Sequence, residues 1–338
     1  MVVIARIRLL VAALGLAATA CSEPSIAFDQ LDRELQRARC ERLVRCGLFA
    51  DDASCLAYFW VLSDPSVAGA IAARKVDYDG ALARQCVDAT AAQSCDLTAP
   101  EARAAPAACS RMLAGTLAGG AACAIDAECA SGTCEPATCP EIGCCVGACR
   151  PVQPPGAAGT ACAKSSDCAP ALVCASDRTC RELAPSGQDC ASDRECAAGL
   201  GCINPLSTMP GTCRALPHRG EDCPYLRCAD EGLRCDEATR RCVALGLPGA
   251  ACSGPGECSP YLECDPDAQR CREFPQLGMP CRAGCGGEAF CLRDGAPTGT
   301  CAAPQPDGSP CTAYNECASF YCEAGPIFDS CKDAPVCF

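Results

Sequence analysis

The chain has 338 residues, of which 39 are cysteine and only 4% are aromatic, and it carries a formal net charge of −13. Alanine and cysteine swell the 49% counted as hydrophobic, which argues against one large hydrocarbon core and for small units held by covalent staples. The acidity argues against nucleic-acid partners, because neutralising phosphates needs clustered Lys and Arg.

The chain opens with MVVIARIRLLVAALGLAATA, in which Arg6 and Arg8 precede a short apolar run from Leu9 to Ala20. That is the pattern of a signal peptide over residues 1–20, and the run is short of the roughly 20 apolar residues needed to span a bilayer. No later segment is long or apolar enough, so an exported chain without a transmembrane helix is expected, with disulfides as the default state of its cysteines. Cleavage after Ala20 makes Cys21 the first mature residue. Leu16-Ala-Ala-Thr-Ala-Cys21-Ser22 resembles a bacterial lipobox, with Ala18 where such boxes favour Leu. The resemblance implies lipidation of Cys21, residues 21–24 as anchor and linker, and, from Ser22, sorting to the outer membrane or cell surface; the alternative is an ordinary A-x-A site and a secreted chain. Removing Cys21 leaves 38 cysteines, an even number, and the mature chain carries 26 basic against 41 acidic residues, a formal −15.

Residues 25–115 are alanine-rich with few prolines and show helical periodicity. Phe28, Leu31, Leu35 and Leu43 share a helix face, Ser25 is placed as its N-cap and Gly47 as its stop. Cys40 and Cys46 are six residues apart, about 240° around a helix, so each must staple a different neighbour. By the same reasoning Cys86 and Cys95 point to opposite sides. Cys40, Cys46, Cys55, Cys86, Cys95 and Cys109 supply three bridges for four or five short helices. The aromatic run from Ala57 to Leu62 reads as core, burying the single tryptophan, Trp60.

From Gly119 the chain repeats. Seven modules are expected at 119–150, 159–181, 187–214, 220–243, 249–272, 278–302 and 308–338. Each opens with Gly-x-x-Cys, and Pro/Gly-rich joints such as QPPGAAG and LGLPG separate them. These joints have too little apolar side chain to pack modules together, so an extended, jointed array is expected. Before the second cysteine stand Glu128, Asp167, Glu195, Arg227, Glu257, Gly284 and Glu316. After the fourth stand Arg150, Arg181, Arg214, Val243, Arg272, Ala302 and Lys332. The five modules with an acid at the first place are the five with a base at the second, which suggests that the two places touch and that the neighbouring cysteines are bridged.

That reading pairs first with third and second with fourth: Cys162–Cys174 and Cys168–Cys180, Cys190–Cys202 and Cys196–Cys213, Cys223–Cys235 and Cys228–Cys242, Cys252–Cys264 and Cys258–Cys271, Cys281–Cys291 and Cys285–Cys301, Cys311–Cys322 and Cys317–Cys331. Leu262, two before a third cysteine, fills the space between the bridges, as do Leu172, Leu200, Leu233 and Phe320 in other copies. CASDRTC and CDPDAQRC read as small β-hairpins. The extra Cys139, Cys144, Cys145 and Cys337 are left without assigned partners.

The spacings C-AKSSD-C-APALV-C-ASDRT-C and C-ASDRE-C-AAGLG-C resemble the Dickkopf N-terminal cysteine-rich module and, more loosely, epidermal-growth-factor-like modules. The nearest likeness is to exported bacterial lipoproteins in which such modules follow a helical cysteine domain. The resemblance covers Gly119 to Phe338 and implies an extracellular interaction module; it does not imply Wnt antagonism, since no matching binding residue is present.

Catalytic chemistry finds little footing. The single histidine, His218 in ALPHRG, reads as a solvated joint residue, so Ser-His-Asp and Cys-His triads lack a base. The sequence contains no C-x-x-C and no H-E-x-x-H, the spacings of many zinc and redox sites. Asp77/Asp79 and Asp265/Asp267 read as capping and turn residues rather than calcium ligands. No cofactor and no metal is expected. Three classes remain in order: a non-enzymatic surface lipoprotein holding a protein or glycan ligand away from the membrane; a disulfide-rigid protease inhibitor offering loops Leu206–Thr212 or Ala296–Thr300; and, remotely, a carboxylate enzyme in the helical domain.

Overall fold

The computed structural model describes residues 24–59, 65–135, 146–203, 210–282, 284–286, 289–293, 298–311, 316–318, 322–323 and 330–331. The expectations for the signal peptide and for Cys21, Trp60, Cys139, Cys144, Cys145, Phe320, Lys332 and Cys337 lie outside them, as do residues 206–209 and 296–297 of the two candidate inhibitory loops. Gly211 and Thr212 belong to a paired strand, 211–215, and Gly299 and Thr300 to another, 299–302. The protein is disulfide-rich, with helices near the N-terminus and short antiparallel hairpins after them.

The helical domain contains α1 (Phe28–Arg45), α2 (Asp52–Tyr58), α3 (Pro65–Ala72), α4 (Gly80–Ala92) and the single turn α5 (Pro100–Arg103), with β1 (Val76–Tyr78) paired to β2 (Leu113–Gly115). Leu31 and Ala38 of α1 pack on Ala83 and Val87 of α4, with Ile26 closing the cluster and Phe28, Leu35, Tyr78 and Met112 around it. The N-cap of α1 is Ala27, not Ser25, and no side chain caps it. At the other end Gly47 (φ +77°) makes a left-handed stop: its N–H donates to Val44 and that of Leu48 to Leu43, the Schellman arrangement in which Leu48 folds back on Leu43.

Three bridges tie this domain: Cys40–Cys55, Cys46–Cys95 and Cys86–Cys109. Cys40 and Cys46 thus staple different neighbours, α2 and the segment beyond α4. Cys95 lies past the end of α4 rather than on its far side.

All seven modules share one local plan. A turn carries Gly120, Gly159, Gly187, Gly220, Gly249, Gly278 or Gly308 at its third place, with φ between +82° and +89°, a conformation that L side chains adopt at a cost and glycine does not. Each of these glycines donates its N–H to the carbonyl of the module's fourth cysteine, as from Gly249 to Cys271 at 2.8 Å. This fixes why the first cysteine follows Gly-x-x.

The third and fourth cysteines sit directly opposite one another in an antiparallel pair, as with Cys174 and Cys180, Cys202 and Cys213, or Cys264 and Cys271. Their bridges diverge. The third reaches the first and the fourth reaches the second in every module, Cys252–Cys264 and Cys258–Cys271 for example, and the first module follows with Cys123–Cys134 and Cys129–Cys149. The sulfurs meet at the centre: those of Cys162, Cys168 and Cys180 all lie within 4.8 Å of one another. Leu262, Leu200 and Leu172 pack on these sulfur clusters.

The acid before the second cysteine does not touch the base after the fourth in the copies where both are described. Glu128, Asp167, Glu195 and Glu257 instead accept the backbone N–H four residues earlier, at 2.7, 2.9, 2.9 and 3.0 Å, closing the loop behind the first cysteine. The bases turn elsewhere: Arg150 to Glu135, Arg181 to Asp177, Arg272 to Glu263 and Asp265, and Arg214 over the Tyr225 ring.

The modules are not independent of the helical domain. Backbone pairing, ion pairs and ring stacking fasten modules 1, 3, 4 and 5 to it, through residues widely separated in sequence. No described helix is long and apolar enough to cross a membrane.

Candidate binding seam between the helical domain and the modules

The seam begins at α5. Arg103 donates through Nη1 to the carbonyls of Asp193 and Cys196 in module 3, at 2.9 and 2.8 Å, and through Nη2 to that of Leu200. Five rigidly forked N–H donors suit a guanidinium to collecting several carbonyls at once, here from the turn at Asp193–Cys196 and from the start of the strand 200–203. The N–H of Gly199 donates to Thr98, which is buried.

Module 4 continues the seam by strand-like pairing. Leu97 N–H donates to Ala229 at 2.8 Å and Glu231 N–H to Cys95 at 2.9 Å, around an antiparallel bridge between Asp96 and Asp230. Arg42 of α1 forms an ion pair with Glu231. A Cβ on Gly232 would lie 2.0 Å from the Cys46 carbonyl oxygen, so this approach of two backbones requires glycine. His218 is not merely a solvated joint residue: its Nδ1 lies 3.1 Å from Asp230 Oδ2. That hydrogen bond raises its pKa above the ordinary histidine value, with Asp230, Asp96 and Glu221 adding charge attraction and burial opposing.

Module 5 completes the seam with aromatic rings. Phe49 stacks on Tyr261 with centroids 4.5 Å apart, while Tyr58 and Phe59 meet the same ring edge-on at 5.0 and 5.4 Å. Ser259, fully buried, donates its hydroxyl to the Leu48 carbonyl at 2.6 Å. The run from Ala57 thus serves a junction, as far as its described members Tyr58 and Phe59 go, and burial raises the pKa of the Tyr58 and Tyr261 phenols.

Beside these rings opens a shallow cleft of about 40 Å³, lined by Phe49, Tyr58, Pro248, Tyr261 and Phe274 together with the polar side chains of Ser54, Glu273 and Gln276. Its chemistry is that of a stacking surface with hydrogen-bonding groups at the rim. It brings together none of the residues that sequence reading singled out for chemistry. Of the paired acids, Asp79 caps α4 through the Ala81 and Leu82 N–H groups, and Asp265 accepts from Asp267 and Ala268 within its hairpin turn. The sulfur clusters that have metal-site spacing are bridged, so they carry no thiolate to offer. Sequence reading missed the seam itself; the pair Tyr261-Leu262, the only sizeable apolar side chains of module 5, was its one visible sign.

The fold and seam define a disulfide-rich protein of crossed-bridge modules docked on a helical domain, and such dense bridging belongs to an exported or extracellular protein. The family described as Domain of unknown function (DUF7107) matches residues 161–206, which is module 2 and the first three cysteines of module 3. No curated protein and no solved structure matches the chain.

Proposed function

We propose that the protein is a non-enzymatic binding protein, tethered at the outer membrane or cell surface through lipid on Cys21, which presents the aromatic cleft at the module 5 seam to a protein or glycan ligand. The observation that carries this reading is the cleft: the half-buried rings of Tyr58, Tyr261 and Phe274 beside the polar side chains of Ser54, Glu273 and Gln276, in a frame held by bridges on both sides. Rings held rigidly in this way bind sugar faces or apolar side chains without first losing conformational freedom. Two or more acyl chains at about 0.8 kcal/mol per buried methylene suffice for a stable tether.

The lipid-free chain, residues 22–338, is probed on glycan and peptide arrays. Binding that falls about tenfold in Phe274→Ala, whose ring lines the cleft, supports the reading. Binding unchanged by that substitution, or turnover of a bound array member, overturns it. Mass spectrometry of the mature chain tests the tether: Cys21 carries acyl mass if the reading holds and a free amine if it does not.

A further inference from the structure

Where module 1 gives way to module 2 the chain forms a groove of about 600 Å³, a size that suits a small ligand or a few units of a chain. Module 1 lines it with Ser131, Thr133 and Arg150, the joint with Pro151 to Pro154, and module 2 with Lys164, Asp167 and Arg178.

The charge of this groove runs against that of the chain. Arg150, Lys164 and Arg178 line it against one carboxylate, Asp167, in a sequence with 28 basic and 41 acidic residues. The repeat does not require such a balance. At the same place between modules 5 and 6, the groove is lined by Arg272 and Arg282 with Asp265, Asp267 and Glu273. There both cations are matched by acids, Arg272 by Glu263 and Asp265 at 2.7 Å and Arg282 by Asp267 at 3.6 Å.

Between modules 1 and 2 the matching is incomplete. Arg150 meets Glu135 at 2.8 Å. Lys164 donates instead to the Gly132 carbonyl at 2.9 Å and to Thr133 Oγ1 at 3.1 Å. Those two bonds hold its ammonium at the junction and leave one of its three N–H donors for a ligand. Arg178 is exposed, and its guanidinium has no hydrogen-bond or ion-pair partner among the described residues. Its backbone carbonyl accepts the Cys162 N–H at 2.9 Å, so the turn that carries it is fixed. Asp167 gives Oδ2 to the N–H groups of Ala163 and Lys164 and keeps Oδ1 as an acceptor. A ligand that is anionic and nothing else is repelled there, whereas one that also carries hydroxyl groups can donate to it.

We propose that the groove between modules 1 and 2 binds an acidic sugar chain, whose carboxylate or phosphate groups pair with Arg178, Lys164 and Arg150 while its hydroxyls donate to Asp167. A guanidinium fork matches either anion in two-point fashion. The site is separate from the aromatic cleft at module 5 and is independent of what that cleft binds.

Calorimetric titration of the chain from residue 22 onward, bridges intact, uses oligogalacturonate and phosphomannan fragments as probes, with neutral dextran and oligoglutamate of matched length for comparison. At least one acidic sugar is expected to bind more tightly than both comparison polymers. Arg178→Glu should weaken that binding by about tenfold or more, the loss of one charge-assisted hydrogen bond, and Arg178→Lys should retain most of it. Arg240→Glu is the control, because Arg240 is exposed at the same place of the module 4 hairpin, with φ +57° against +60° at Arg178. It alters net charge and turn alike and should leave binding unchanged, as should Phe274→Ala in the cleft. Four results overturn the site: neither acidic sugar binds; oligoglutamate or dextran binds as tightly; Arg178→Glu does no more than Arg240→Glu; or Phe274→Ala weakens binding as much as Arg178→Glu, which places the sugar at the cleft.

Discussion

The helical domain and module 5 solve one problem in two ways. In the first, Ile26, Leu31, Ala38, Ala83 and Val87 make a hydrocarbon centre and the three bridges lie around it. In the second, the buried cluster is Cys252, Cys258, Cys271 and Leu262, with Ala250 and Cys264 packed against it. A disulfide in the helical domain adds to a core; in a module it is the core. The contrast follows from composition: between Gly249 and Arg272 only Tyr261 and Leu262 are sizeable apolar side chains, and Tyr261 is committed to the seam.

Removing one bridge from each region gives the sharpest break between them. In module 5 the double substitution Cys258→Ala with Cys271→Ala takes away a staple and half the buried cluster, and is expected to cost about 2–5 kcal/mol. Hydrogen exchange should show the hairpin amides across Leu262–Asp265 losing protection. The parallel change Cys86→Ala with Cys109→Ala leaves the α1/α4 cluster in place, so thermal stability falls while helical circular dichroism at 25 °C is retained. Equal loss of local structure in both variants would erase the distinction.

Glu128 shows a further way in which a module, here module 1, meets the helical domain. It is buried in module 1, accepts the Ala124 N–H and receives Lys75 Nζ of the helical domain at 2.9 Å. Burial works against its charge, but the Lys75 hydrogen bond and the backbone donors outweigh it and hold its pKa below the ordinary glutamate value. A depressed carboxylate stabilises the fold above its unfolded pKa and ceases to as pH falls through the folded one. Glu128→Gln is expected to cost about 1.5–3 kcal/mol at neutral pH, the contribution of a charge-assisted hydrogen bond. The difference from wild type should shrink on acidification. A difference that grows instead would mean that Lys75 is not the partner that matters.

Much of the module plan is legible in the sequence because it is written seven times. Gly-x-x-Cys, the hairpin turns and the leucine two before the third cysteine recur, and recurrence separates signal from accident. The acid–base correspondence is a more instructive case: it suggested a contact that none of the described copies makes. Asp167 and Glu257 hold backbone amides of their own loops, while Arg181 and Arg272 reach across or along the hairpin. Both positions recur because each serves the same small scaffold, and the bridges run first to third and second to fourth without the ion pair.

The seam was not legible for the opposite reason. Its contacts occur once and join distant parts of the chain, such as Ser259 to Leu48 across 211 residues. Many use backbone atoms that any residue would supply, as Arg103 does with three carbonyls. Short Pro/Gly joints with little apolar side chain suggested an array touching nothing; what holds the array down is on the modules, not in the joints.

The smallest expected effect tests the left-handed glycine that every module shares. Gly249 has φ +85°, and a Cβ placed there would meet nothing within 4 Å. Gly249→Ala therefore introduces no clash, and its cost is the left-handed backbone alone, about 1–2 kcal/mol. The Gly249 N–H still has the Cys271 carbonyl to reach, so the bridges should form and the loss should appear as a modest fall in the thermal midpoint with intact disulfides by mass spectrometry. A neutral or stabilising result would mean that the turn relaxes to negative φ without disturbing Cys252. The spacing Gly-x-x-Cys would then have some cause other than the turn, and the seven-fold recurrence of that glycine would need a different physical account.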